Sequence, residues 1–184
     1  MGVVTLWGQS HLPGEWSAIA NSGAVWLLPA TLVGAVMPTD LRAALAGALT
    51  LVVAVAVFYA AVPFLVAGAS SAPRGVVIWS VTAVVAGPVF GVAGRWIRGD
   101  RSRLRAAAAA LIGGSFTAEG VIRLLTPPSE DRSVAILMIV AGLLLPIAIG
   151  RSTRERLLGV LGQPVVVLVT FGVYKALDQA FLRS

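Results

Sequence analysis

Glu119 and Arg123 are the two residues of this sequence best placed to do chemistry inside an apolar segment, the stretch GGSFTAEGVIRLLTPP. They are four residues apart, so a helix places them on one face, where a carboxylate and a guanidinium can form an ion pair. A lone charge in hydrocarbon costs about 2.5–3.5 kcal/mol on insertion scales, which makes ionisable residues there candidates for function. Two interpretations stay open: a structural ion pair, and a charged site for a ligand or a proton.

Motifs for other kinds of chemistry are absent from the sequence. The single histidine, His11, excludes an H-E-x-x-H zinc site and a histidine-rich metal site. Because it precedes the first apolar run, it also argues against a histidine-containing catalytic triad within the runs. The lack of cysteine excludes disulfides and thiolate metal sites. The segment GGSFT resembles the turn around a nucleophilic serine, but it lacks the last glycine of that motif. The sequence therefore predicts no catalytic residue, no metal site and no cofactor.

The composition indicates that lipid surrounds the chain. Apolar residues make up 58% of the 184 residues and charged residues 12%, with a mean hydropathy of +0.91. A typical soluble domain has about 45–50% apolar and about 25% charged residues. These charges are too few to cover a soluble core of this size. We predict an all-α, polytopic integral membrane helix bundle that forms a single domain over residues 1–184, with the lipid bilayer as a partner.

Six apolar runs are long enough to cross a membrane, which takes about 20 residues as a helix. The predicted transmembrane helices A to F cover about residues 15–37, 43–66, 75–97, 104–125, 133–150 and 157–177. Before them, MGVVTLW is typical of the last two turns of another helix, so we expect a truncated N-terminal span. The alternative is a short interfacial segment anchored by Trp7 and Trp16.

The distribution of basic residues predicts the orientation in the membrane. Thirteen of the fourteen are arginines, which fits a high-GC bacterium, and they cluster between apolar runs, which argues against a nucleic-acid partner. The A/B, C/D and E/F breaks contain nine: Arg42, Arg95, Arg98, Arg101, Arg103, Arg105, Arg151, Arg154 and Arg156. The other side contains five: Arg74, Arg123, Arg132, Lys175 and Arg183. The positive-inside rule then predicts a multi-pass protein of the bacterial inner membrane, with the C/D and E/F loops cytoplasmic and both termini outside.

Polar and aromatic residues collect in the half of the predicted bundle that faces outward. At about 1.5 Å per residue, Glu119 lies roughly 22 Å into helix D from Leu104. The inner half offers little beyond Thr50 and Gln163. We predict an outward-facing pocket for a small molecule, lined by Asn21, Trp26, Tyr59, Trp79, Glu119 and Arg123. The charged pair would hold a polar or zwitterionic head group, and the aromatic side chains would cover its apolar part.

Binding or transport of a small molecule is thus the leading hypothesis, and two alternatives stay open. The first is a membrane-embedded enzyme that acts on a lipid or isoprenoid, with Glu119 as the acid. The second is a structural or assembly partner of a membrane protein complex, in which the charges only pair with each other. Nothing in the spacing of the carboxylates requires the enzymatic alternative.

Prolines and small residues predict how the helices pack. Pro29, Pro88, Pro146 and Pro164 each free a backbone carbonyl within an apolar run, and neighbouring helices must then supply partners. Gly87 and Gly91 form a GxxxG motif, and Ala30 and Gly34 repeat the small-xxx-small spacing. Such motifs indicate close helix contact.

Four segments carry a resemblance to a known family: ANSGAVWLLPATLVGA, LAGALTLVVAVAVFYA, VAGPVFGVAGRW and TAEGVIRL. The chain resembles a family of small polytopic membrane proteins from high-GC bacteria whose function is not established. The resemblance covers Gly8 to Leu177, nearly the whole chain. It implies an apolar stretch before the HLPG segment, and it implies no reaction or substrate.

Overall fold

The computed structural model describes residues 2–13, 16–65, 73–126 and 132–182, which form helices and no strand. The helices are α1 (Gly2–His11), α2 (Ser17–Ala20), α3 (Gly23–Ala35), α4 (Asp40–Leu65), α5 (Pro73–Arg98), α6 (Ser102–Leu125), α7 (Arg132–Ile149) and α8 (Thr153–Leu182). The predicted all-α membrane bundle is confirmed. The predicted helix limits at Glu15 and Val66 lie outside the described residues, as does Arg183.

Among the described residues, five helices, α4 to α8, are long and apolar enough to cross a membrane. They correspond to predicted helices B to F, although α8 (Thr153–Leu182) extends beyond the predicted 157–177 at both ends, and the chain is a multi-pass membrane protein. Predicted helix A differs, because the helix is interrupted at Asn21 and Ser22, between the 4 residues of α2 and the 13 residues of α3. Ser22 has an extended backbone (φ −74°, ψ 124°), and its Oγ accepts the Val25 amide as the N-cap of α3. Asn-Ser-Gly therefore starts a new helix where a continuous one was predicted.

The helices group into two compact units. Unit 1 is Met1–Arg98 and contains α1 to α5; Unit 2 is Gly99–Ser184 and contains α6 to α8. Each unit has its own packing, and the single domain over residues 1–184 stays a prediction.

Backbone contact through small residues holds Unit 1 together. Helix α3 packs against both α4 and α5, and α1 packs against α4. The backbone of Gly34 on α3 touches that of Gly91 on α5, and Gly91 in turn lies against Ala43 on α4. Gly47 packs on Gly87 in the same way. The close contact predicted from the small-residue spacing is confirmed, and van der Waals packing is its source of stability.

Large apolar side chains of Unit 1 point outward. On α4 an exposed stripe recurs every four residues: Leu41, Leu45, Leu49, Val53 and Val57. Small residues make up most of what α4 buries, namely Ala43, Gly47 and Ala54, beside Leu51 and Val55. Small residues inside and large apolar ones outside reverse the pattern of a soluble protein and suit a lipid environment.

Helix α6 is the centre of Unit 2, since it packs against both α7 and α8. It is the most buried and the least apolar of the five long helices. Alanines at 106 and 108–110 and glycines at 113, 114 and 120 are buried on it, so its neighbours approach the backbone closely. A helix surrounded by other helices needs little lipid-facing hydrophobicity, which explains its composition.

A buried ion pair joins the start of α6 to the start of α8. Nη1 of Arg105 donates to both carboxylate oxygens of Glu155 at 3.0 and 3.1 Å, and the two side chains are only 4% and 7% exposed. Arg105 also donates to the Gly99 carbonyl. Glu155 accepts the Arg151 amide at 2.8 Å, and the Glu155 amide donates to Oγ of Ser152. Side chains thus satisfy backbone groups at the N-terminus of α8.

Replacing Gly91 by alanine tests the backbone contact in Unit 1. Its methyl group would overlap the Ala43 carbonyl, and overpacking of this kind costs about 1–3 kcal/mol. Gly172→Ala is the matched control, because nothing lies within 4 Å of a Cβ there. We expect a lower melting temperature in detergent for G91A and an unchanged or higher one for G172A. Equal melting temperatures for G91A and the unaltered protein would contradict the contact.

Glu155→Gln tests the buried ion pair. It leaves the Arg105 guanidinium, which is 4% exposed, without its carboxylate, and a buried charge that has lost its partner is strongly destabilising. The control is Asp40→Asn, because the Arg95–Asp40 pair, at 2.8 Å, has side chains 36% and 57% exposed. Exposed pairs contribute about 0–1 kcal/mol. We expect SDS titration in mixed micelles to show a large loss of unfolding free energy for E155Q and a small one for D40N; similar losses would refute the assignment.

Candidate functional site

Glu119 and Arg123 form the ion pair that their spacing predicts. Nε and Nη2 of Arg123 donate to Oε1 of Glu119 at 3.1 and 2.8 Å. The Arg123 side chain is 19% exposed and that of Glu119 is 17% exposed. The pair lies in the last two turns of α6, at the edge of its buried face, with Ala118 and Gly120 buried beside it. It therefore combines one carboxylate and one guanidinium that are held together and still accessible.

In Unit 1, the structure brings two predicted site residues together through a third aromatic ring. Phe58 packs edge to face with Trp26 (centroids 5.6 Å apart) and with Tyr59 (5.2 Å apart). Nε1 of Trp26 donates to the Ala20 carbonyl at 3.4 Å, which satisfies the indole next to the break between α2 and α3. The cluster thus ties the start of α3 to the last turns of α4.

The other two predicted site residues of Unit 1 lie on its surface. Asn21 is exposed at the end of α2, and Trp79 on α5 is 43% exposed. Gly75, one turn before Trp79, leaves room for the Tyr59 hydroxyl. Four of the six predicted pocket residues therefore belong to Unit 1, and Glu119 and Arg123 belong to Unit 2. The common pocket stays a prediction.

An open apolar groove of about 410 Å³ lies on Unit 1 between α1, α3 and α4. Its lining residues are Gly2, Pro29, Leu49, Thr50, Val53, Ala54 and Val57. None of the six predicted site residues lines it. The Thr50 hydroxyl donates to the Ala46 carbonyl within its own helix, and the wall of the groove is mostly apolar.

A polar network in the apolar interior of Unit 2 was not predicted from the sequence. The amide nitrogen of Gln163 on α8 donates to the Gly142 carbonyl on α7 at 2.7 Å. The Thr117 hydroxyl on α6 donates to the amide oxygen of Gln163 at 2.8 Å. Residue 146 is a proline without an amide hydrogen, so the Gly142 carbonyl accepts no hydrogen bond from it within its own helix. Gln163 on the neighbouring helix supplies the missing donor.

Two signals in the sequence point to the interactions that the prediction missed. Pro146 has no amide hydrogen, so the sequence indicates that the Gly142 carbonyl needs another hydrogen-bond donor. Gln163 was noted as a polar residue of the inner half; it is buried, and its amide nitrogen needs an acceptor. Ser152 and Glu155 have the S-x-x-E spacing of a helix N-terminus, which predicts that the Glu155 side chain interacts with the backbone there. The partners of Gln163 and Glu155 lie on other helices and could be identified only from the fold.

Metal binding has no support in the part of the chain that the structure describes. Its residues contain no group of three or more histidine, cysteine or acidic side chains that could hold an ion. What the structure shows at Glu119 and Arg123 is an ion pair with two hydrogen bonds.

Comparison with known proteins identifies a family for the chain and no function. A family model described as a family of unknown function, DUF6518, matches residues 1–180. This match confirms the resemblance to an uncharacterised family and covers nearly the whole chain. None of the curated proteins matches the chain, and no solved structure matches it.

Gln163→Leu tests the interhelical network in Unit 2. Leucine has a similar volume but leaves the Gly142 carbonyl and the Thr117 hydroxyl without this partner, at a cost of about 1–3 kcal/mol. Thr50→Val is the control, because its hydroxyl bonds within its own helix. We expect the SDS concentration at half-unfolding to fall for Q163L and to change little for T50V. A Q163L protein as stable as the unaltered one would show that the network contributes nothing.

Proposed function

We propose that this chain, a multi-pass membrane protein that belongs to the DUF6518 family of unknown function, binds or transports a small molecule. The proposed binding site is the Glu119–Arg123 pair of Unit 2. The bound molecule has a polar or zwitterionic head group and an apolar part.

The partial exposure of an ion pair on a membrane-spanning helix carries the proposal. Nearly a fifth of each side chain is accessible, although both charges lie in one of the five apolar helices. A purely structural pair in hydrocarbon is most stable when protein covers it fully, since contact with lipid is unfavourable for charged atoms. A pair that stays accessible can in addition contact a polar group from outside the protein.

The chemistry of the pair selects the class of ligand. The guanidinium offers several donors to an anionic group, and the carboxylate accepts hydrogen bonds from a cationic or hydroxylated one. Leu124 and Leu125 follow directly on α6 and are 38% and 67% exposed, so an apolar surface adjoins the charges. A head group at the pair and an apolar part against these leucines fit an amphipathic molecule.

We further propose the bacterial inner membrane as the location, with the loops between α5 and α6 and between α7 and α8 in the cytoplasm. Nine arginines lie in the α3/α4, α5/α6 and α7/α8 breaks or in the helix ends next to them, against five basic residues in the rest of the chain, and they support this orientation. The Glu119–Arg123 pair, near the opposite end of α6, would then lie toward the outer face.

Glu119→Gln tests the proposed site without changing the size of the side chain. We expect native mass spectrometry of the protein extracted from its own membrane to detect a small-molecule adduct. Loss of a charge-assisted hydrogen bond weakens binding by about 10- to 100-fold, so the adduct should be largely absent from E119Q. Arg123→Lys, which keeps the positive charge, should retain part of it.

Asp40→Asn removes the carboxylate of the exposed pair in Unit 1 and is the matched control, since it should keep the adduct. An adduct that persists in E119Q, together with a lower melting temperature, would favour the structural role of the pair. An unaltered protein that carries no adduct would also overturn the proposal.

A further inference from the structure

Five arginines are exposed in two segments of Unit 2, residues 99–105 and 150–156, which we call the arginine-rich end. They are Arg101, Arg103, Arg151, Arg154 and Arg156. The segments are far apart in the chain, and the Arg105–Glu155 pair holds them together, because Arg105 belongs to the first and Glu155 to the second. The exposed guanidiniums of both segments therefore share one end of the unit.

The charge of the arginine-rich end is not balanced within these two segments. They contain two acidic residues, Asp100 and Glu155. Glu155 is buried, and its oxygens already accept from Arg105 and from the Arg151 amide. Asp100 alone is exposed beside the five exposed arginines. A strong positive potential therefore remains there, and it favours an anionic partner.

An apolar track continues from the arginines along α8. Arg154 begins an exposed face on which Leu157, Leu158 and Leu161 follow at helical spacing. These leucines are 58%, 43% and 70% exposed. One helix face thus presents a positive charge followed by a hydrocarbon surface.

We infer that the arginine-rich end of Unit 2 binds the phosphate head group of an anionic phospholipid, with an acyl chain of that lipid along the leucines of α8. Guanidinium groups hydrogen-bond phosphate oxygens in pairs, and basic clusters at the end of a membrane helix attract anionic lipids. A free phosphate would use the arginines and leave the leucine track unused. The site is separate from the Glu119–Arg123 pair and does not depend on the function proposed for it.

The test compares phosphatidylglycerol with phosphatidylcholine, both with dioleoyl chains, on the full chain in detergent. Native mass spectrometry measures how many lipids bind at each concentration. We expect preferential binding of phosphatidylglycerol. In R103Q/R154Q, binding should weaken by about 25-fold, since one basic side chain near an anionic surface contributes about fivefold.

Two further variants make the test specific. R42Q/R74Q removes two exposed arginines from Unit 1 and should bind phosphatidylglycerol as the unaltered protein does. R103K/R154K keeps the charges and should retain most of the binding. The inference is overturned if R103Q/R154Q binds normally, or if R42Q/R74Q loses as much as R103Q/R154Q. Either result would leave these arginines as determinants of orientation only.

Competition by inorganic phosphate distinguishes a lipid from a free anion. Excess phosphate should leave most of the phosphatidylglycerol bound, because it cannot replace the acyl contacts. Displacement of the lipid by phosphate at comparable concentration would identify the site as one for a free anion and would refute the lipid assignment.

Discussion

Hydrocarbon offers no hydrogen bonds, so every peptide group and every charge that this chain carries into the membrane must find its partner within the protein or in a bound molecule. The Gly142 carbonyl is the clearest case. Pro146 provides no donor to this carbonyl within α7, and the amide nitrogen of Gln163 on α8 donates to it instead. The Thr117 hydroxyl on α6 donates to the amide oxygen of Gln163. The missing hydrogen bond of one helix is thus replaced by polar contacts that join three helices.

The two units meet this requirement in different ways. In Unit 1, glycines bring the backbones of α3, α4 and α5 into contact, and the exposed Arg95–Asp40 pair joins the end of α5 to the start of α4. In Unit 2, specific polar contacts join the helices: the Arg105–Glu155 pair near the ends of α6 and α8, and the Gln163 network further along them. Packing of small residues sets how close helices lie, whereas polar contacts also set their register.

Much of this architecture follows from apolar run length, because a helix that crosses lipid must have a minimum number of apolar residues. Helices α4 to α8 were predictable on that basis, as was the pairing of Glu119 with Arg123, which are neighbours within one helix. The break at Ser22 was missed because a single N-cap interrupts an apolar run without changing its composition. The partners of Glu155 and Gln163 lie on other helices, and no periodicity within one segment identifies them.

The pocket predicted from depth alone illustrates the same limit. A count of residues along each helix places a side chain at a level in the membrane but does not say which way the helix is turned. Trp26 and Tyr59 share a level and also meet through Phe58, whereas Asn21 and Trp79, at similar levels, point to the surface. Rotation of each helix about its axis comes from packing, which a single sequence does not contain.

The glycine-lined contact of α3, α4 and α5 has a practical consequence for handling the protein. Attraction between touching backbones depends on their shape and distance, not on the expulsion of water, so detergent tails in place of lipid tails leave it unchanged. Solubilisation should thus spare the interior of Unit 1 and exchange only the molecules that coat its outward leucines and valines.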